Sequence, residues 1–282
     1  PEPDYWVITN HVAAPAAATV DPRRVWNVNQ EPPDPAYGWL MRASRGFARV
    51  YAPGAREAFP GHVPHHGMLQ WHVNRSFDEL TSCAPPEKSR PLSWVTSDRR
   101  HLPGHRRRLR FLGRIRGQIE FDLFGRGFTP LADKWDGLAP YRYSLAIENR
   151  SSPHYWTEKV ADCFLAWTMP VYYGATNLAD YFPPESYVWL DIDDRHAPAR
   201  LAEIVRSDRA ERAFDALAEA RRRVLFEHQF FPRMAGEIER DAASSAPPAP
   251  RRVELAAVRD ETSRYVARPW RKLWQALRWP LP

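Results

Sequence analysis

Beyond residue 91, short apolar runs alternate with longer stretches in which apolar residues recur every three or four positions. The short runs predict buried strands, and the longer period predicts helices that cover them. Regular alternation of the two indicates a mostly parallel, doubly wound α/β sheet. The predicted strands are residues 92–96, 119–124, 143–147, 171–173 and 187–190, and the predicted helices are residues 105–116, a helix starting near Tyr155, and residues 197–225 with a break near Ser207.

The first third of the chain is less regular but has strand candidates at residues 5–8, 25–28 and 47–51. A proline-rich loop, residues 30–35, follows the second candidate. Residues 59–66 contain three histidines with no partner carboxylate at helical spacing, so we expect solvated loop histidines there and no metal site. These histidines are His62, His65 and His66.

A polar segment at residues 83–91 separates the two patterns and predicts a domain boundary. We therefore expect an N-terminal domain at 1–88, a second, ligand-binding domain at 89–240, and a linker with a basic, aromatic, helical tail at 241–282. A basic aromatic helix can lie in a membrane interface or pack across a domain junction, and both remain open for this tail. Its tryptophans are Trp270, Trp274 and Trp279.

Composition narrows the class of protein. A hydrophobic share of 44% and an aromatic share of 13% are those of a globular chain, and 282 residues suffice for two modest domains. The net charge of +6 comes from 36 arginines against four lysines, which suits nucleic acid, a membrane surface or phosphorylated small molecules. The sequence shows no stripe of basic residues interleaved with aromatic residues that could stack on bases, so a nucleic-acid-binding function is disfavoured. No apolar run of about 20 residues exists, which excludes a membrane-spanning helix.

Only two cysteines occur, Cys83 and Cys163, and Cys163 falls on the apolar face of a predicted helix. Neither a disulfide framework nor a zinc site can be built from them, which favours a reducing compartment. We expect a cytoplasmic protein, with peripheral contact on the inner membrane face through the tail.

The most informative segment runs from residue 141 to residue 174. A predicted strand ends at Glu148 and Asn149, a Ser-Ser-Pro turn follows, and the next helix carries Glu158 and Lys159 in its first turn. In open α/β sheets ligands bind at the carboxyl ends of the strands. A helix N-terminus attracts anions and disfavours lysine by a few tenths to about 1 kcal/mol, so a lysine there either reaches into water or meets an anionic ligand.

Four motifs in this region occur in a distinctive order. They are Y-x-Y-x-L-A-x-E-N at 141–149, Y-x-T-E-K at 155–159, P-V-Y-Y-G at 170–174 and F-P-P-E-S at 182–186. Together they resemble the donor-binding signature of the α-1,3-fucosyltransferase family, glycosyltransferase family 10. W-V-T-S-D at 94–98 and F-D-L-F-G-R at 121–126 extend the resemblance loosely towards the N-terminus.

This resemblance implies an enzyme of GT-B type, with two Rossmann-like domains facing a cleft, the N-terminal one on the acceptor side and the C-terminal one holding GDP-fucose. No membrane anchor like that of the family's animal members is seen in this sequence, so we expect a bacterial enzyme. It implies inverting transfer of L-fucose to a hydroxyl of a glycan or glycolipid, with no cofactor and no protein-bound metal. A different nucleotide sugar, or a sugar-nucleotide binder without catalytic activity, remains an alternative.

The resemblance also assigns roles to residues. It implies Lys159 on the diphosphate, Glu158 on the ribose hydroxyls, and Asn149 and Tyr155 lining the nucleotide pocket. Glu148 and Thr157 belong to the same motifs and complete the predicted donor site. An arginine of the preceding helix should grip the diphosphate, since a guanidinium can bind two phosphate oxygens at once. Arg108 is the predicted residue, with Arg106, Arg107 and Arg110 as alternatives.

The expected catalytic base is Glu31, which follows a predicted strand and resembles the acidic residue of the family's E-S-P-like segment. Prolines beside it would fix the loop. Asp191, Asp193 and Asp194 look like a metal-binding D-x-D, but they follow a strand and precede a helix, so we expect a turn and a helix cap. His154 departs from the acidic residue that the family usually has before Tyr155.

Overall fold

The computed structural model describes residues 1–54 and 59–262 and divides the chain into two compact α/β units. Unit 1 comprises Pro1–Gly67 and the chain from Ala246, and unit 2 comprises Met68–Ser245. Each unit contains a parallel sheet with helices, which confirms the predicted α/β class. In the part of the chain described, no helix is both long and apolar enough to cross a membrane.

The sheet of unit 1 is entirely parallel, in the order β1-β3-β4-β5. Its central strand β3 is buried along its whole length, as the continuous apolar run predicts for a parallel strand. The one polar residue, Asn27, is satisfied because its amide donates to the carbonyl oxygens of Ile8 and Asn10. The elements are β1 (Trp6–Thr9), β2 (Ala16–Val20), β3 (Val25–Val28), α1 (Gly38–Ser44), β4 (Arg49–Ala52) and β5 (His62–Pro64), with 3-10 turns at Pro22–Arg24 and Pro35–Tyr37.

The histidine-rich region of unit 1 differs from its prediction. His62 begins β5, which pairs with β4, and the side chains of His65 and His66 are buried instead of solvated. The His65 ring lies 2.9 Å from the carbonyl oxygen of His66, measured from Nδ1. No group of metal-ligating side chains forms among the residues described. Parallel pairing with β4 therefore draws these residues into the core of the unit.

Unit 2 contains a five-stranded parallel sheet in the order β10-β9-β8-β6-β7. The connection after β6 leads outward to β7, whereas the connection after β8 leads outward to β9. The strand order thus reverses between β6 and β8, and ligands of open α/β sheets bind at such a switch point. The strands are β6 (Arg90–Val95), β7 (Asp122–Phe124), β8 (Tyr141–Ile147), β9 (Met169–Tyr173) and β10 (Val188–Trp189).

The predicted helices of unit 2 are all present with shifted ends, and two further helices, at Phe77–Ser82 and Phe230–Ser244, were not predicted. The predicted break near Ser207 is confirmed, since α5 ends at Arg206 and a further short helix starts at Arg209. The helices of unit 2 are α2 (Phe77–Ser82), α3 (Pro103–Ile115), α4 (Glu158–Leu165), α5 (Ala197–Arg206), α6 (Arg209–Arg212), α7 (Phe214–Arg223) and α8 (Phe230–Ser244). Unit 2 also has 3-10 turns at Lys134–Gly137, Leu178–Asp180 and Pro184–Ser186, and a π-helical turn at Val224–His228.

The segment predicted as a linker is largely structured. Helix α8 continues to Ser244, and Arg251–Leu255 forms β11, which pairs antiparallel with β2. Val253 and Leu255 pack on the small cluster of Ala18, Val20 and Val25, so residues 251–255 form a strand of unit 1. Residues 263–282, with the three tail tryptophans, lie outside the described residues.

The division between the units lies at Gly67 and Met68, ahead of the predicted boundary at residue 88. Leu80 of α2 is fully buried in the main core of unit 2. Lys88 donates from Nζ to the carbonyl oxygens of Ala139 and Ala166, at 2.7 and 2.8 Å. Residues 68–88 therefore pack with the second sheet, although their polar composition resembles that of a linker.

Leu80→Ala tests this assignment. The substitution should lower the free energy of unfolding by about 2–5 kcal/mol, because it empties a buried site in the core of unit 2. Thr81→Ala, an exposed change on the same helix, should stay within about 0.5 kcal/mol. Urea titration followed by circular dichroism measures both, and equal small effects would show that residues 68–88 are a loosely attached linker.

Candidate functional site

The N-terminus of α4 lies directly beyond the carboxyl end of β8. Helix α4 begins at Glu158, three residues later than the sequence suggested, because extended Thr157 caps it. The Thr157 hydroxyl accepts a hydrogen bond from the Lys159 amide at 3.3 Å, which satisfies one of the open amides of the first turn. Glu158 and Lys159 thus occupy the first turn, as predicted.

Glu148, directly after β8, supplies a buried carboxylate beneath this helix end. Its side chain is fully buried and accepts hydrogen bonds from the Thr157 amide at 2.8 Å and the Thr157 hydroxyl at 2.7 Å. Gly174 makes room for it, since a β-carbon there would come within 2.5 Å of the Glu148 side chain. Burial raises the pKa of Glu148, and the nearby Lys159 only partly offsets that rise.

Lys159 folds back over the helix end and does not reach into water. Its Nζ lies 3.1 Å from a Glu148 carboxylate oxygen, 2.9 Å from the Thr157 hydroxyl and 3.3 Å from a Glu158 carboxylate oxygen. Burial alone would lower the pKa of Lys159, but the two carboxylates outweigh it and keep the ammonium charged. A cation at a helix N-terminus opposes the helix dipole, and these carboxylates compensate for it.

Glu158 is held as a carboxylate on the outer side of Lys159. Burial would raise its pKa, but Lys159, Lys134 and His72 outweigh burial and keep the pKa below the ordinary value. An ionised carboxylate is a hydrogen-bond acceptor only, so Glu158 is suited to a ligand that presents hydroxyl donors.

Arg108 on α3 stands out among the four candidate arginines. It is 6% exposed, and its Nε has no hydrogen-bond partner in the described structure. Burial lowers its pKa, whereas the negative charges of Glu148 and Glu158 act to raise it. An unpaired buried guanidinium nitrogen is costly, so an anionic ligand would stabilise it.

The neighbouring arginines are already engaged or solvated. Arg106 donates to the carbonyl oxygen of Arg100 at 3.2 Å, and Arg107 donates to the Tyr173 hydroxyl at 3.0 Å. Arg107 also pairs with Asp193 at 3.1 Å, and Arg110 is exposed. The geometry therefore favours Arg108, the residue chosen from the sequence.

Close backbone contact brings α3 to the site. Gly104 in its first turn lies so near the Asn149 carbonyl that any β-carbon would overlap the oxygen. The Asn149 side-chain oxygen is buried and, like Arg108 Nε, has no hydrogen-bond partner among the residues described. Sequence reasoning missed Gly104, although a glycine in the first turn of an arginine-rich helix is a signal of close approach.

The loop between Asn149 and Thr157 is fixed by aromatic packing. Tyr155 and Trp156 are buried, and the Trp156 ring packs on Phe182 at a centroid distance of 5.1 Å. His154 has a left-handed backbone with φ of 62°, and its amide donates to the Asn177 side chain at 2.7 Å. The residue that departs from the family pattern thus serves to turn the chain.

The acidic run after β10 forms turns, as expected, but it does not cap α5, whose N-cap residue is His196 without a side-chain cap hydrogen bond. Asp191 accepts from the Asp193 amide at 3.0 Å, and Asp194 accepts from the His196 amide at 2.9 Å just before α5. Within the described ranges, no three acidic, histidine or cysteine side chains converge on a metal site.

Glu31 lies in unit 1, separate in sequence and in unit from the other predicted residues. It follows β3, and its amide donates to the Asn29 side chain at 3.1 Å. Burial, and then the Glu31 charge and hydrogen bond, raise the pKa of the Tyr37 hydroxyl. The structure brings the seven predicted donor-site residues together in unit 2, and Glu31 is positioned by Asn29 and Tyr37 in unit 1.

Residues 85–224 match the family model described as glycosyltransferase family 10 (fucosyltransferase), C-terminal. The chain is 25% identical over 173 residues to human 4-galactosyl-N-acetylglucosaminide 3-alpha-L-fucosyltransferase FUT6, covering 60% of this chain and 46% of that protein. It is 31% identical over 100 residues to human 3-galactosyl-N-acetylglucosaminide 4-alpha-L-fucosyltransferase FUT3, covering 34% and 27%. The chain spans about half the length of the curated relatives it matches.

One solved structure with a similar fold is an alpha1,3-fucosyltransferase with GDP-fucose, with a TM-score of 0.45 and 14% identity over 76% of this chain and 79% of that one. Another is S. aureus TarM, with a TM-score of 0.49 and 9% identity over 81% and 51%.

Two glycine substitutions on α3 should have opposite effects. Gly104→Ala should lower the free energy of unfolding by about 1–3 kcal/mol, because its methyl group overlaps the Asn149 carbonyl. Gly113→Ala, which meets no atom within 4 Å, should raise it by about 0.5–1 kcal/mol through helix propensity. Denaturant titration measures both values, and a stable Gly104→Ala protein would contradict the close contact between α3 and Asn149.

Proposed function

We propose that this chain, whose residues 85–224 match glycosyltransferase family 10, the fucosyltransferases, moves L-fucose from GDP-fucose to a hydroxyl of a glycan acceptor with inversion. One observation carries the proposal. The buried Arg108 guanidinium, with its Nε unpaired among the described residues, lies beside charged Lys159 at a helix N-terminus. A diphosphate is the ligand that satisfies all three features.

The leaving group is GDP, and negative charge grows on its β-phosphate as the fucosyl bond breaks. The first-turn amides of α4, Lys159 and Arg108 are in place before the reaction, so they need little reorganisation to stabilise that charge. Lys159 contacts Glu148 and Glu158, which keeps it ordered and charged. Removal of these cations should therefore weaken GDP binding and turnover together.

The ribose would bind through Glu158. Its carboxylate stays ionised because Lys159, Lys134 and His72 hold its pKa down. Two vicinal hydroxyls can both donate to one carboxylate, and deoxyribose offers one fewer donor. Asn149 and Tyr155 would line the same pocket.

Glu31 is the proposed base for the acceptor. It would take the proton of the attacking hydroxyl, whose oxygen forms the new bond to the anomeric carbon as the bond to GDP breaks. The Asn29 contact and the adjacent prolines restrict the loop that carries it. The named relatives act on N-acetylglucosaminides, so galactosyl-N-acetylglucosaminides are the first acceptors to test, alongside other glycans and glycolipids.

Arg108→Met should weaken GDP binding about 10- to 100-fold, because it removes a charge-assisted hydrogen bond worth about 1.5–3 kcal/mol. Lys159→Ala should act in the same direction. Arg110→Met, on the exposed part of the same helix, should bind GDP within about twofold of the original protein. Isothermal calorimetry with GDP measures all three affinities. Unchanged affinity in both Arg108→Met and Lys159→Ala would show that the diphosphate does not bind at the N-terminus of α4.

Glu31→Gln should bind GDP-fucose normally and lose about 10²- to 10⁴-fold in turnover, because the amide cannot accept the hydroxyl proton. Glu254→Gln, an exposed change on β11 of the same unit, serves as the control and should keep full turnover. Turnover is measured as release of the nucleoside diphosphate, with GDP-fucose, GDP-mannose and UDP-sugars as donors. It shows both whether Glu31 is needed for transfer and which sugar nucleotide is used. Normal turnover by Glu31→Gln would show that Glu31 is not the catalytic base.

A further inference from the structure

Asp162 is a buried carboxylate with no part in the proposed reaction. It lies one helical turn after Glu158 on α4, and its side chain is 0% exposed. It accepts a hydrogen bond from Lys134 Nζ at 2.6 Å, and both of its oxygens accept from the His72 backbone amide, at 3.1 and 3.2 Å. A buried carboxylate is costly unless it is paired, so these bonds fix Lys134 and the backbone of residue 72 firmly on α4.

A second carboxylate fixes the chain just after His72. Asp133 accepts from the Asn74 amide at 3.2 Å and from the Arg75 guanidinium at 2.5 Å. The Trp71 indole in turn donates to the Arg75 carbonyl at 2.9 Å. Two carboxylates therefore hold residues 72–75 to the rest of unit 2, Asp162 at residue 72 and Asp133 at residues 74 and 75.

The His72 side chain lies near the Glu158 carboxylate. Its imidazole is 59% exposed, and Nδ1 lies 3.9 Å from the nearer Glu158 carboxylate oxygen. This separation is too long for a direct hydrogen bond. A hydroxyl group that donates to Glu158 would still have lone pairs free to accept from an imidazole N–H.

We propose that His72 contacts the sugar nucleotide by binding a ribose hydroxyl held by Glu158, and that Asp162 is the positioning residue that fixes His72 there. The ligand class is a ribonucleoside diphosphate, and the inference rests on the proposed function, since that function places the ribose at Glu158. Glu158 and His72 together would favour ribose over sugars that lack the 2′- and 3′-hydroxyls. His72 thus adds a side chain from the start of unit 2, far from the α4 motifs in sequence.

The test compares two ligands and four proteins by isothermal calorimetry. GDP and 2′,3′-dideoxy-GDP are titrated into the original chain, His72→Ala, His72→Gln and the control His196→Ala, an exposed histidine whose ring accepts from Arg195. His72→Ala should bind GDP about three- to tenfold more weakly than the original chain. All four proteins should bind dideoxy-GDP equally. His72→Gln, which restores a donor, should recover part of the GDP affinity, and His196→Ala should match the original chain.

Other outcomes overturn the inference in separable ways. GDP affinity unchanged in His72→Ala, with the original chain binding GDP, removes His72 from the site and leaves the proposed function intact. An equal loss for GDP and dideoxy-GDP in His72→Ala shows an effect on the diphosphate or on packing, which also refutes the ribose contact. An original chain that binds no GDP refutes the proposed function itself, and the inference with it.

Discussion

The site depends on a lysine held at the positive end of a helix. Lys159 would be unfavourable in the first turn of α4 on its own, because its charge opposes the helix dipole. Glu148 from the end of β8 and Glu158 beside it compensate for that charge at 3.1 and 3.3 Å. Thr157 joins them, since its hydroxyl caps the helix and contacts both Glu148 and Lys159. These contacts fix the start of α4 relative to the end of β8.

The strand order of unit 2 brings a second cation, Arg108, to this site. The strand order of unit 2 reverses between β6 and β8, so the helices that follow these two strands meet at one edge of the sheet. Helix α3 approaches closely because Gly104 has no β-carbon to strike Asn149. That approach buries Arg108 beside Glu148 and Glu158 and leaves its Nε without a hydrogen-bond partner in the described structure. The site therefore holds cations that an anion would stabilise.

Local sequence patterns predicted most of the fold and the placement of most candidate donor-site residues. Continuous apolar runs identified β3 and β8, and the ordered motifs identified Glu158 and Lys159. The start of α4 was missed by three residues, because the Thr157 cap overrides the apolar Tyr155 and Trp156. Non-local contacts escaped prediction: β11 pairs with β2 across the length of the chain, and Asp162 contacts His72 at a separation of 90 residues. Such contacts leave no periodic signal in the sequence.

The most direct test of the central claim is a crystal structure of the chain with GDP. The account predicts the diphosphate at the N-terminus of α4, with phosphate oxygens within hydrogen-bonding distance of Lys159 Nζ and the Arg108 guanidinium. It also predicts the ribose hydroxyls on Glu158. A diphosphate bound elsewhere on unit 2, with Lys159 still on Glu148 and Arg108 Nε still unpaired, would contradict it.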